Sequence, residues 1–89
     1  MNKNEEKVKQ VFTEILEDVA RIDLNSISNF NLDTSFFENG LFLDSLDLLD
    51  VVSGVEERLE IQISPSDLKR LKTLRNVIAC ISEILENKK

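Results

Sequence analysis

Residues 44–60 read Asp44-Ser45-Leu46-Asp47-Leu48-Leu49-Asp50-Val51-Val52-Ser53-Gly54-Val55-Glu56-Glu57-Arg58-Leu59-Glu60. At 100° per residue, Leu48, Val51, Val52, Val55 and Leu59 gather on one side and Asp47, Asp50, Gly54, Glu57 and Arg58 on the other. That segregation is the pattern of a helix with one buried face. Short polar side chains at Asp44 and Ser45 suit its start, and Asp47 in the first turn favours the positive end of the helix dipole. Leu46 breaks the segregation, because it falls among the acids as an apolar knob beside Ser45. Six acids (Asp44, Asp47, Asp50, Glu56, Glu57, Glu60) stand here against one base, Arg58. Such a field would steer a basic partner. Plainer readings stay open: charge runs are usually solvated faces, Leu46 could staple the preceding loop, and an isolated serine at this place is most simply a helix cap.

Upstream, a first helix is expected from about Glu5 to Ala20, with Val8, Val11, Phe12, Ile15, Leu16 and Val19 on one stripe. From about Ile22 to Asp44 the periodicity fades. Asn25-Ser26, Ser28-Asn29, Asn31 and Asp33-Thr34-Ser35 mark a long loop, which Ile27, Leu32, Phe36 and Phe37 should pin, with a helical turn inside it. Downstream, Ser64-Pro65-Ser66-Asp67 reads as an N-cap, a proline at the first helical position and an acid at the third, opening a short helix to about Leu71. Thr73 then caps a last helix whose inner stripe is Leu74, Val77, Ile78, Ile81, Ile84 and Leu85. Asn87-Lys88-Lys89 gives it a cationic end. Two glycines and one proline are all that punctuate the chain. The expected fold is all-α: three main helices plus a short third helix, with a long loop between helices 1 and 2.

At 89 residues, 1-89 reads as a single domain, with 42% hydrophobic residues and five Phe but no Trp or Tyr to build an aliphatic core. The net charge of −6 disfavours nucleic acid and anionic lipid and points to basic protein partners. No apolar run approaches the roughly 20 residues of a membrane helix, and Met1-Asn2-Lys3-Asn4-Glu5-Glu6 lacks the apolar centre of a signal peptide. A cytoplasmic location without membrane insertion is the expectation. With Cys80 the single cysteine and no histidine, an intrachain disulfide, a Cys/His zinc site and a His-dependent triad are excluded. No catalytic residue and no metal ligand are assigned. Cys80, near the edge of its stripe, reads as a boundary filler. Lys69, Arg70 and Lys72 form the one basic cluster, expected to face solvent.

At Asp44-Ser45-Leu46-Asp47 the sequence resembles the acyl carrier protein family, whose Asp-Ser-Leu signature marks the serine that receives 4′-phosphopantetheine. The likeness continues through Val55-Glu56-Glu57-Arg58-Leu59-Glu60, Ile61-Gln62-Ile63, the short helix and Thr73-Leu74. Upstream, Phe36-Phe37-Glu38-Asn39-Gly40 is similar to the family's aromatic-acidic-glycine approach. Two departures lie near the serine. Fatty-acid-synthesis members commonly have an Asp-Leu-Gly-x-Asp-Ser approach, whereas Gly40-Leu41-Phe42-Leu43 precedes Asp44 here, and Ser53-Gly54 replace bulkier residues expected on the exposed middle of the helix.

The resemblance implies a small four-helix carrier, a monomer, that catalyses nothing. A phosphopantetheinyl transferase would attach the arm to Ser45. Asp44, Leu46, Asp47, Asp50, Glu56 and Glu57 would form the docking face for that enzyme, for an acyl- or aminoacyl-loading ligase and for downstream synthases or transferases. Leu48, Val52, Leu59, Ile61, Ile63, Leu68, Leu71 and Ile78 are candidates to line a shelter for the acyl chain, or are plain core. The cargo implied is an acyl group for fatty acid or specialised lipid and secondary-metabolite synthesis. An aminoacyl or D-alanyl carrier serving an adenylating ligase is the alternative, and a carrier-like adaptor that never receives the arm is a third reading.

Overall fold

A computed structural model of the chain describes residues 2–27, 30–38 and 40–87. Ser28, Asn29 and Asn39 of the expected loop, and the cationic end at Lys88-Lys89, lie outside the described residues. The elements in order are α1 (Lys3–Ala20), a 3-10 turn (Leu24–Ser26), α2 (Ser45–Leu59), α3 (Pro65–Leu68) and α4 (Leu74–Asn87). The described residues contain no strand, only an isolated bridge between Ser35 and Thr73.

Capping chemistry fixes the helix ends. Asn2 accepts from the Glu5 amide at 2.9 Å and Glu5 returns a bond from its carboxylate to the Asn2 amide at 3.0 Å, so α1 begins two residues before the expected start. It ends at Arg21 in the left-handed conformation, φ 57°, with the Ile22 amide bonded back to the Glu17 carbonyl. The end of α2 repeats this device at Glu60, φ 56°, with Ile61 bonded to Glu56. As expected, Ser64 caps α3 through the Asp67 amide at 3.1 Å, and Thr73 caps α4 through the Asn76 amide at 3.2 Å. Helix α3, however, ends at Leu68 rather than near Leu71. Arg70 and Leu71 bond to the carbonyls three residues back, tightening the chain so that Leu71 drops into the core.

Helix α1 packs against both α2 and α4. The core is Val8, Val11, Phe12, Ile15 and Leu16 of α1, Leu48, Val51, Val52, Val55 and Leu59 of α2, and Leu74, Val77, Ile78 and Ile81 of α4, closed by Phe36, Leu43, Ile61 and Leu71. Burying a side chain of this size contributes roughly 1.5–3 kcal/mol. Three placements differ from the sequence reading. Val19, on the last turn of α1, is 38% exposed and lies outside the core, at the edge of a shallow hollow it shares with Gly54, Glu57 and Arg58 of α2. Cys80 is buried within the core rather than at its boundary. Gly54, expected on the exposed middle of α2, is half-buried beneath α1, where a Cβ would stand 3.0 Å from Ile15 Cγ2. Its small size lets the two helices approach closely.

The long connection is tied down chiefly through its middle, at Leu32, Asp33 and Phe36. Phe36 is fully buried and stacks on Phe12, ring centroids 5.4 Å apart. Its amide donates to the Lys72 carbonyl at 2.9 Å, and the Arg75 amide donates to the Leu32 carbonyl at 2.9 Å. The Arg75 guanidinium also grips the Asp33 carboxylate through two bonds of 2.7 and 3.1 Å. Leu32 and Phe37 pack on the core as expected. Ile27 does not, and Leu24 and Phe30 take its place. The radius of gyration, 12.2 Å, matches the value of about 12 Å for a compact chain of this length, so the loop is folded in rather than hanging off.

Candidate functional site

The start of α2 is where the sequence-selected residues meet. Asp44 is the N-cap: its Oδ1 accepts from the Asp47 amide at 2.8 Å, and Asp47 Oδ2 accepts from the Asp44 amide at 3.2 Å. This reciprocal pair satisfies two amides that would otherwise lack partners. Ser45 therefore occupies the first helical position rather than the cap. Its side chain is exposed, and among the described residues nothing hydrogen-bonds to its hydroxyl. The residue that the plainest sequence reading made a cap is thus free to react, because its neighbour caps instead.

The approach to this point is a closed loop. Leu41 N–H donates to the Ser35 carbonyl at 2.9 Å, Phe42 to Phe37 at 2.9 Å and Leu43 to Phe36 at 2.8 Å. Gly40 lies against the Ser35 carbonyl so closely that any Cβ would overlap its oxygen. Phe42 takes φ 56°, the backbone that glycine favours, and Phe42 stands where the Asp-Leu-Gly-x-Asp-Ser pattern places its glycine. The turn sends Leu43 into the core and Phe42 out to solvent.

Beside Ser45 a groove of about 520 Å³ opens between α2 and the α3 region. Phe37, Leu48, Leu49, Leu68 and Leu71 give it apolar walls, and Lys69 and Lys72 flank it. Neither lysine has an ion-pair partner among the described residues. Of the acyl-lining candidates, Leu48, Leu68 and Leu71 reach this groove. Val52, Leu59, Ile61 and Ile78 are core, and Ile63 is half-buried elsewhere.

The acids of α2 divide by role. Asp50 and Glu57 are exposed and have no partner among the described residues. Asp44 and Asp47 hold the capping pair. Glu56 is half-buried, and its Oε2 accepts from the Ile63 amide at 2.7 Å, which ties the α2–α3 connection to the helix. Arg58, the one base of the stretch, reaches Glu14 of α1 at 3.3 Å. Leu46 stands 71% exposed, as its place among the acids suggested. The sequence reading passed over Phe42 and Leu49. Leu49 lies three residues beyond Leu46, one turn on along the same side of a helix, which was the available signal. Away from this site, burial pushes the Cys80 thiol pKa up, and the nearby Asp67 and Glu83 carboxylates add to the rise. That thiol stays protonated and weakly nucleophilic.

A family model described as the phosphopantetheine attachment site matches residues 10–81, a span that includes Ser45 and every groove residue. The acyl carrier protein of Buchnera aphidicola subsp. Schizaphis graminum is 33% identical over 89 residues, covering all of both chains. That of Coprothermobacter proteolyticus is 32% identical over 83 residues, 93% of this chain and 96% of the relative. The D-alanyl carrier protein of Bacillus mycoides is 40% identical over 62 residues, 70% of this chain and 73% of the relative.

Proposed function

Because this chain belongs to the acyl carrier protein family, we propose that it holds acyl intermediates as thioesters on an arm attached at Ser45. The family's prosthetic group is a covalently bound 4′-phosphopantetheine. When bound, it supplies a terminal thiol as the point of acyl attachment. The observation that carries the reading is the free, exposed hydroxyl of Ser45 at the first position of α2, released from capping by Asp44 and set beside an apolar groove. These residues fit such an arm: a nucleophile in the open, a positive helix end beneath it and an aliphatic trough alongside.

In loading, the Ser45 hydroxyl would attack the pyrophosphate of coenzyme A, its proton passing to a base on the transferase and the adenosine bisphosphate leaving. The amides at the start of α2 would favour an anionic phosphate held on Ser45, while the Asp44 carboxylate would offset some of that benefit. Asp44, Asp47, Asp50 and Glu57 present carboxylates to Arg and Lys of a transferase, and Leu46 adds an apolar contact. Glu56, the other acid assigned to docking, is half-buried on a different side of α2, with one oxygen engaged by the Ile63 amide. Acyl carrier proteins are non-catalytic carriers, and the chemistry along the pathway falls to the ligases, synthases and transferases that dock here. Leu48, Leu49, Leu68 and Leu71 would cover an acyl chain laid in the groove. We take residues 1–89 as a single carrier domain, monomeric and cytoplasmic, acting in fatty acid or specialised lipid synthesis. No helix is long and apolar enough to cross a membrane among the described residues.

A second reading, an aminoacyl or D-alanyl carrier, is favoured by the 40% identity to the Bacillus mycoides protein. Intact-mass spectrometry after incubation with coenzyme A, magnesium and a broad-specificity phosphopantetheinyl transferase tests the carrier role. One phosphopantetheine mapped to Ser45 supports it, and no addition would leave the adaptor reading in its place. Loading the product with fatty, malonyl and amino acids then separates the two carrier readings.

A further inference from the structure

Three of the four large apolar side chains exposed among the described residues, Phe42, Leu46 and Leu49, fall within eight positions that bracket Ser45. The fourth, Val19, is at the far end of α1. Phe42 is the most uncovered of them at 75%, and it is held at φ 56°. Among the described residues the two other non-glycine positions with positive φ, Arg21 and Glu60, each terminate a helix, where the left-handed turn satisfies the last carbonyls. Phe42 terminates nothing. Its turn is required by the chain path, which must bury Leu43 and deliver Asp44 to the cap, but glycine or asparagine would make that turn with less strain. A bulky aromatic here is unfavourable for the backbone and gains little burial in return. Strain of this kind at the rim of a site is a pointer to function.

On the premise of the reading above, we propose that Phe42 is a docking anchor: it inserts into an apolar cleft, rimmed by Lys and Arg, on the enzymes that act at Ser45. The charge of such a rim follows from what surrounds the patch. Asp44, Asp47 and Asp50 interleave with Leu46 and Leu49, and Glu38 is exposed on the approaching loop. Two copies of a chain with net charge −6 would repel at such a face, and an anionic lipid surface would too. An apolar anchor ringed by charges that meet their complements is the usual anatomy of an interface hot spot, in which a buried aromatic supplies most of the affinity. Phe42 precedes the serine in the chain and Leu46 follows it, so an enzyme gripping both would hold the chain before and after the reacting residue.

The test uses the phosphopantetheinyl transferase as the partner probe, with Phe42→Asn and Phe42→Leu variants of the full chain. Asparagine tolerates the left-handed turn and removes the apolar body, so the melting temperature should stay level or rise. Meanwhile KM for the carrier rises roughly thirtyfold, the lower bound for loss of a hot-spot anchor, with kcat little changed. Phe42→Leu should recover most of that loss. Equal KM for wild type and Phe42→Asn overturns the inference. So does a marked fall in melting temperature, which would make Phe42 a packing residue, or a concentration-dependent dimer that Phe42→Asn abolishes, which would give the patch to a second copy. Failure of the wild-type chain to be modified at all would instead count against the carrier reading on which this rests.

Discussion

Ser82 lies in α4 at 5% exposure, and its Oγ has no hydrogen-bond partner among the described residues. Burying a hydroxyl unsatisfied is unfavourable by about 1–3 kcal/mol, and alanine also suits a helix better. Ser82→Ala should therefore stabilise the fold by about 1 kcal/mol, raising the melting temperature by roughly 4–8 °C for a domain of this size. A thermal melt followed by circular dichroism checks it, and a fall would mean the hydroxyl has a partner in solution. Ser45 makes the opposite case at the same scale. Its side chain is exposed and the capping is done by Asp44 and Asp47, so Ser45→Ala should leave the helical spectrum and melting temperature nearly unchanged while abolishing labelling by coenzyme A analogues. Labelling that persists on another residue would refute the assignment of the site.

Between elements, the joint most exposed to conditions is the clamp of Arg75 on Asp33, which ties the long connection to the start of α4. The Arg75 guanidinium, through its hydrogen bonds, holds the Asp33 carboxyl below the ordinary carboxylate value, and Asp33 in turn raises Arg75. A group depressed in the folded state contributes stability above its unfolded pKa, about 3.9, and loses it as the pH falls through the folded value. Carboxyl NMR should give Asp33 a lower titration midpoint in the wild type than in Arg75→Gln; identical midpoints would show that the pair does not persist in solution. Neither partner of this clamp could be picked out in the sequence, because they are 42 positions apart and nothing in the local pattern couples them. Features written within a few residues were legible: the stripes of α1, α2 and α4, the Ser64-Pro65 start of α3, the Thr73 cap and the setting of Ser45. Features that depend on two distant segments meeting were not. Gly54 looked exposed on a helical wheel because the wheel does not know where Ile15 of α1 will lie. Phe42 looked like one more loop aromatic because its outward turn follows from Leu43 going inward. The capping carboxylate at Glu5 was within reach of sequence reasoning and would have placed the start of α1 correctly.

Over the whole molecule, charge rather than packing sets the response to solvent. The chain carries −6, and the three ion pairs among the described residues, Arg58–Glu14, Arg70–Asp67 and Arg75–Asp33, all have substantially exposed side chains. Exposed pairs contribute about 0–1 kcal/mol each. The molecule measures 38 × 26 × 20 Å. At about 0.01 M salt the screening length, roughly 30 Å, lets acids repel one another across most of that extent, whereas at about 0.15 M it shrinks to roughly 8 Å and only neighbours interact. Screening the net repulsion should outweigh weakening three exposed pairs, so the melting temperature is expected to rise over that salt range. A fall would mean that the ion pairs, Arg75–Asp33 foremost, dominate the balance. The same acids on α2 are those proposed to attract a basic transferase, and attraction between opposite charges is weakened by the screening that relieves self-repulsion. One salt series should then move two observables in opposite directions, stability upward and transferase kcat/KM downward. A kcat/KM that holds steady while stability climbs would separate the acidic face from docking and leave the apolar contacts around Ser45 to account for recognition.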